Sequence, residues 1–236
     1  MDRPWEHLDE LTGREAALAV GGYCHVQLAQ LKHQERIYSG LYSDERRIEV
    51  LNTASGPVAK VVQDALFDVI VLGICRLLEP AGPARMPSKN LTFAFLIELL
   101  PMPDRKGEYD AALKVLRADA APLRDRRNMH IAHADSAALR EGAQVGWGNL
   151  RQINSALGGM YDLLGRIYAN DFDTGLTGWE LNDHPELQFL RALKFGNAVH
   201  AQKLEDYKEA LITTPYGENL PDLQDIYPDW LRTPRG

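Results

Sequence analysis

Residues 124–135, with the sequence RDRRNMHIAHAD, place three arginines and two histidines in one short polar segment. If this segment is helical, Arg126, His130 and His133 stand at i, i+4 and i+7 and share one face. Arg127 then lies about 100° further round the helix. A guanidinium and an imidazole that converge on one small anion suit the cleavage of a phosphodiester bond.

Cleavage of RNA without a metal requires that the 2′-hydroxyl lose its proton, that the phosphorane be stabilised, and that the leaving 5′-oxygen be protonated. Histidine acts as acid or base near neutral pH, which makes His133 a candidate for proton transfer. Arginine stays charged, and its planar fork matches two phosphate oxygens, which suits Arg127. A symmetric dimer that paired two copies of this helix would bring a second histidine to the same site.

The same residues also have plainer interpretations. Arg126 and Arg127 could lie on a solvated helix face and pair with nearby carboxylates. His130 could be a partly exposed helix residue, and Asn128 could bond only to backbone. His130 and His133 could together chelate zinc, but a zinc site needs a third and usually a fourth ligand. The remaining candidates, Asp135 and the distant His25 or Cys24, do not form a clear ligand set with them, so we expect neither a metal nor a cofactor.

The remainder of the chain is predicted to be a helical scaffold. Apolar residues recur at helical spacing in residues 5–38, 58–78, 149–169 and 185–211. Proline-rich breaks are expected at residues 80–87 and 101–107. No alternating apolar and polar stretch is long enough to predict a strand, and the fold class is therefore all-α.

Local signals predict where some of these helices begin and end. A short helix is expected over residues 45–52, and the Ser-Gly-Pro sequence at 55–57 should separate it from the apolar helix over residues 58–78. Pro122 is placed either to open the first turn of the helix that carries residues 124–135 or to kink a helix that continues from residues 109–120.

Arg76 and Glu79 are unusual charges in the apolar helix over residues 58–78. Their spacing favours an ion pair within the helix. The functional alternative is that Arg76 lines the same cleft as His133 and adds a second phosphate contact.

Composition restricts the kind of partner. The 236 residues carry a net charge of −7, which argues against a broad basic surface that coats nucleic acid, so an RNA partner would meet a focused cleft.

The two cysteines, Cys24 and Cys75, lie in apolar helical patterns and predict no disulfide framework, which fits a reducing compartment. The polar N-terminus has no signal-peptide core, and no apolar run is long enough to cross a bilayer. We expect a cytoplasmic protein without membrane contact.

The segment resembles a known family at specific positions. Arg127-Asn128, Ala132-His133 and Asp135 are similar to the signature of HEPN-domain proteins, in which Arg-Asn is followed, after three residues, by Ala-His. The sequence ICRLLEP at 74–80 and the sequence SKNLT at 88–92 are similar in order to the AbiU2-like branch of that family. The resemblance covers about residues 10–170 and implies an up-and-down helical bundle with two long antiparallel helices.

The resemblance also implies an activity. Active HEPN proteins are metal-independent ribonucleases, often toxins of toxin–antitoxin or abortive-infection systems, and they dimerise to bring two motifs together. Carried over to this chain, Arg127 would bind the phosphate, Asn128 would assist through its amide, and His133 would be the acid or base. Arg126, His130 and Arg76 are the further candidates for contact with phosphate or RNA.

Other HEPN branches keep the fold without the cleavage, so a non-catalytic nucleotide-binding or interaction protein is the alternative. An antitoxin or a nucleotidyltransferase is the possible partner besides RNA and a second copy of the chain. We expect a HEPN-like domain over residues 1–170, with residues 171–236 adding a C-terminal helix and an extended tail from residue 213 that pack on the same domain.

Overall fold

The computed structural model describes residues 4–82, 89–128, 148–176 and 184–215. In these ranges every regular element is a helix, which confirms the predicted all-α class. A 3₁₀ helix, Pro4–Glu10, precedes seven α-helices: α1 Gly13–Tyr42, α2 Glu45–Leu78, α3 Phe93–Leu99, α4 Pro103–Asp119, α5 Ala121–Arg126, α6 Leu150–Asp171 and α7 Pro185–Thr213. None of the described helices is long and apolar enough to span a membrane.

The two longest helices, α1 and α2, form an antiparallel hairpin. Only Ser43 and Asp44 separate them, and the Asp44 side chain caps α2 by accepting a hydrogen bond from the backbone N–H of Arg46 at 2.9 Å. Near the turn, the Tyr42 hydroxyl donates to the carbonyl of Ala59 at 2.9 Å. The opposite ends of the hairpin therefore carry the early part of α1 and the late part of α2, where the residues of the candidate site lie.

One apolar core unites the first six α-helices. It contains Val20 and Leu28 of α1, Ile70 and Ile74 of α2, and buried residues of α3, α4, α5 and α6. The regular spacing of these residues on each helix produces a single apolar face, so burial of that face holds the bundle together.

Two expected helix boundaries are wrong. Residues 45–52 and 58–78 belong to one helix, α2. In place of the expected break, α2 has a kink at Ser55, where φ is −170° and ψ is 100°. Helix α4 begins at Pro103, inside the expected break over residues 101–107. Proline is tolerated there because the first turn of a helix does not use its backbone N–H.

The last described helix, α7, packs on the α1–α2 hairpin. Leu190 joins Leu41, Leu51 and Ala59 in a small second cluster, and the Asn197 amide donates to the carbonyl of Val50 at 3.1 Å. The expected tail lies almost wholly outside the described residues, which end at 215.

Candidate functional site

Helix α5 carries the first residues of the segment 124–135. Pro122 stands in its first turn, which is one of the two placements expected for it, and Arg127 and Asn128 follow α5 with π-helical geometry. His130 and His133 lie outside the described residues, so the site is built here from its arginines and their surroundings.

Arg126 faces the interior of the bundle. Its side chain is 11% exposed, and its Nε and Nη2 atoms donate to Oδ1 of Asp68 on α2 at 3.1 and 2.7 Å. The guanidinium also lies over the Phe67 ring, 4.6 Å from the centroid. These contacts give Arg126 a structural role in joining α5 to α2.

Arg127 points to a different surface from its neighbour. Its Nη1 atom pairs with Glu79, the residue that caps the C-terminus of α2, and its Nε donates to the Asn128 side-chain oxygen at 3.1 Å. The Arg127 side chain remains 26% exposed. Two anchors thus orient the guanidinium, while part of it still faces solvent.

The partners of Arg76 and Glu79 differ from those that their spacing suggested. Arg76 donates from Nη2 to the side-chain oxygen of Gln27 on α1, and Glu79 accepts from Arg127. The expected Arg76–Glu79 pair is not among the ion pairs of the residues described. Both side chains instead reach across to other helices, because both lie at the end of α2, where α1 and α5 approach it.

Beside Arg127 lies a cavity of about 310 Å³, which we call the arginine cavity. Its lining residues come from the end of α2, from α4 and from α5: Cys75, Leu78, Glu79, Pro80, Arg117, Ala120, Arg124 and Arg127. Three guanidinium groups face one carboxylate, so the cavity is a local cationic site in an acidic protein.

Two of these side chains have clear local roles. Arg117 donates from Nε to the carbonyl of Leu78 at 2.6 Å and from Nη2 to the carbonyl of Glu79 at 3.0 Å, so it satisfies the last carbonyls of α2. Burial raises the pKa of the Cys75 thiol to about 11, so this thiol is protonated and weakly nucleophilic at neutral pH.

On the other side of the Arg127–Glu79 pair lies a second cavity, of about 480 Å³, which we call the glutamine groove. It runs between α1 and α2 and is lined by Gln27, Gln30, Leu31, Gln34, Val69, Leu72, Gly73, Arg76, Glu79 and Arg127. Arg127 and Glu79 border both cavities, so this pair stands between them. Arg76 and Arg127 face the same groove.

Comparison with known proteins identifies the family of this chain. A family model described as AbiU2, a HEPN family, matches residues 23–186, more than half of the chain. This chain belongs to the AbiU2 family of HEPN proteins. No curated protein and no solved structure matches it.

The AbiU2 match includes both the end of α2 and the whole segment 124–135. Among the predicted site residues, the structure brings Arg76, Arg127 and Asn128 to one region and directs Arg126 to the interior. No group of three or more His, Cys, Asp or Glu side chains that could hold a metal occurs in the described ranges.

Sequence reasoning missed three features of this candidate site. Arg117 lies in an ordinary amphipathic helix, and nothing in its local sequence indicates that it reaches the end of α2. The pairing of Glu79 with Arg127 joins residues 48 positions apart. The third feature is the row of glutamines on α1. Gln27, Gln30 and Gln34 recur on one helix face, and this spacing in the sequence could have predicted a polar face there.

Proposed function

We propose that this AbiU2-family chain is a metal-independent endoribonuclease of the HEPN toxin type that acts as a homodimer in toxin–antitoxin or abortive-infection defence. The observation that carries this proposal is the position of the Arg127–Asn128 half of the motif. Arg127 borders a cavity that also holds Arg117 and Arg124, and Asn128 contacts Arg127, in a chain matched by the family model. An antitoxin or a nucleotidyltransferase would be the regulatory partner.

The geometry of Arg127 suits a scissile phosphate. Glu79 and Asn128 hold the guanidinium from two directions, and the remaining N–H groups can donate to two phosphate oxygens. Electrostatic stabilisation is strongest when the donors are oriented before the charge develops. Arg124, which has no ion-pair partner within the described part of the chain, adds a second positive charge to the same cavity.

The reaction would proceed by attack of the 2′-oxygen on the adjacent phosphorus. A base removes the 2′-hydroxyl proton, Arg127 stabilises the extra negative charge on the phosphorane, and an acid protonates the 5′-oxygen as its bond to phosphorus breaks. The products are a 2′,3′-cyclic phosphate and a 5′-hydroxyl. His133 takes one of the two proton-transfer roles, and His133 of a second copy takes the other.

An exposed apolar face of α2 supports the dimer. Val58, Val61 and Val62 stand at i, i+3 and i+4 and are 60%, 68% and 40% exposed. Apolar side chains exposed together on one helix face are a candidate contact surface for a second copy. Val69 and Leu72, which line the glutamine groove, continue this face of α2 towards Glu79, so a second copy seated on the valines would place its own motif across the groove from the first.

Incubation of the purified protein with RNA in EDTA tests the proposal. Wild type should release fragments that end in a 2′,3′-cyclic phosphate, and His133→Ala or Arg127→Ala should lower the cleavage rate about 100-fold or more. Arg166→Ala, which removes an exposed arginine of α6, is the matched control and should cleave normally. If wild type and His133→Ala leave equally intact RNA across a range of concentrations, the protein is not a ribonuclease of this type.

The arginine cavity also favours one alternative, a protein that binds a nucleotide or another anion without cleaving it. In that case wild type would bind RNA or a nucleotide, Arg127→Ala would weaken the binding, and no cyclic phosphate would form. The same preparations and the same variants therefore separate the two functions.

A further inference from the structure

The glutamine groove presents a regular set of amides beside the candidate site. Gln27, Gln30 and Gln34 stand at i, i+3 and i+7 on the face of α1 that borders the groove. Its volume of about 480 Å³ lies within the usual range of small-molecule sites, roughly 300–1,000 Å³. The groove is therefore large enough for one unit of a bound chain.

Two of the glutamines are already engaged. Arg76 donates to the side-chain oxygen of Gln27, and the Gln27 amide donates to the side-chain oxygen of Gln30 at 3.3 Å. This chain of hydrogen bonds holds Arg76 at the wall of the groove. Gln34, by contrast, makes no side-chain hydrogen bond to any described residue, so both its carbonyl oxygen and its NH₂ are available to a ligand.

The opposite wall supplies apolar and cationic surface. Val69 and Leu72 of α2 line the groove and remain 47% and 39% exposed, which offers a surface on which a planar base could lie. Arg76 and Arg127 stand at the α2 and α5 side of the same groove, where they can meet backbone phosphates.

An amide beside an apolar wall favours one base over the others. Asn and Gln side chains pair with adenine through two hydrogen bonds, in which the amide oxygen accepts from N6 and the amide nitrogen donates to N7. Guanine presents two acceptors at the corresponding edge and suits arginine better, but the arginines of this groove are already engaged, Arg76 with Gln27 and Arg127 with Glu79 and Asn128. Unpaired RNA bases can be bound along either of these edges, because no second strand covers them.

We infer that the glutamine groove binds an adenine base next to the scissile phosphate, with Gln34 as the residue that recognises the base. Gln27 and Gln30 are positioning residues that hold Arg76 against the neighbouring phosphate. The inference rests on the proposed RNA-cleaving function for its substrate, and it assigns to this function a base preference and a subsite.

The test measures binding without cleavage. Fluorescein-labelled hexanucleotides in which every 2′-hydroxyl is methylated cannot react, and one contains only uridine while the other carries a single adenosine. Fluorescence anisotropy with the full-length protein should show about tenfold tighter binding of the adenosine-containing chain. Gln34→Ala should abolish this difference and leave the affinity for the uridine chain unchanged, whereas Gln188→Ala, on the exposed surface of α7, should preserve the difference.

The outcomes separate this inference from the proposed function. A protein that prefers adenine through Gln34 but releases no cyclic phosphate in the EDTA assay would overturn the ribonuclease proposal and keep the adenine subsite. Equal affinity for the two oligonucleotides, no binding of either, or a preference that Gln34→Ala leaves intact would overturn the subsite, even if the protein cleaves RNA. Unchanged thermal unfolding of Gln34→Ala shows that any loss of preference is local.

Discussion

Two adjacent arginines of this protein have different partners and different roles. Arg126 is almost fully covered and is bound to Asp68 through two N–H groups, while Arg127 is partly exposed and borders two cavities. Consecutive residues of a helix point about 100° apart, so a change of one position moves a side chain from the interior to the site. The asparagine that follows Arg127 contacts it directly, which supports the choice of Arg127 over Arg126 as the phosphate-binding candidate.

The role of Arg126 predicts a loss of stability on substitution. Arg126→Ala would leave the Asp68 carboxylate without its charged donor and remove the contact with Phe67, which should lower the free energy of unfolding by about 2–3 kcal/mol. Urea unfolding measures this. The control is Lys60→Ala, whose ion pair with Asp64 is more than half exposed on both sides and should contribute about 0.5 kcal/mol or less. Equal effects of the two substitutions would contradict a structural role for Arg126.

Helix α2 connects the core of the bundle to the site. One face supplies Ile70 and Ile74 to the apolar core, and the last turn presents Cys75 and Glu79 to the arginine cavity. The end of a helix leaves carbonyl groups without partners, and here Arg117 of α4 donates to two of them. The position of Glu79, and with it the orientation of Arg127, thus depends on a side chain from a different helix.

Removal of this contact should loosen the end of α2. Arg117→Ala is expected to lower the free energy of unfolding by about 1–3 kcal/mol, because two carbonyls lose a charged donor, and to reduce RNA cleavage through the displacement of Glu79. Hydrogen exchange of the backbone amides at residues 76–79 reports the local opening. Lys114→Ala removes an exposed charge one turn earlier in α4 and should change neither property. Unchanged protection in Arg117→Ala would show that the cap does not hold the helix end.

At the scale of the whole molecule, charge and symmetry limit how RNA is bound. A net charge of −7 repels a polyanion from most of the surface, and the grouped arginines beside the end of α2 provide a local exception. One copy of the chain supplies one motif. The proposed reaction uses His133 of two copies, so it needs a second copy placed against the first.

The valines of α2 predict where that second copy packs. Val61→Glu would place a charge in an apolar interface, so it should convert a dimer of about twice the 26.4 kDa chain mass into a monomer and abolish cleavage. Sedimentation velocity measures the mass. Val199→Glu, at a valine of α7 that is 56% exposed, is the matched control and should stay dimeric. If Val199→Glu is monomeric and Val61→Glu stays dimeric, the dimer interface lies on α7 and not on α2.

The sequence by itself determined the features that depend on local periodicity and composition. Apolar spacing predicted the helices, because a helix must turn one face to the core. Pro122 fitted either a first turn or a kink, and the structure has it in the first turn of α5, which its fixed φ suits. The same local reading identified Arg127 and Asn128 as a pair, and their family was confirmed by the match over residues 23–186. Proline signals were less secure, since α4 starts with a proline where a break was expected.

Only the tertiary structure decided which side chains meet. The contacts of Arg127 with Glu79, of Arg126 with Asp68 and of Arg117 with the end of α2 join residues that are 38 to 58 positions apart. No local pattern encodes such contacts, because they depend on how whole helices cross. The spacing of Arg76 and Glu79 favoured a pair within one turn, yet neighbouring helices offered each of them a different partner. The packing of α1, α4 and α5 around the end of α2 therefore turned a short basic segment into a candidate site with two cavities.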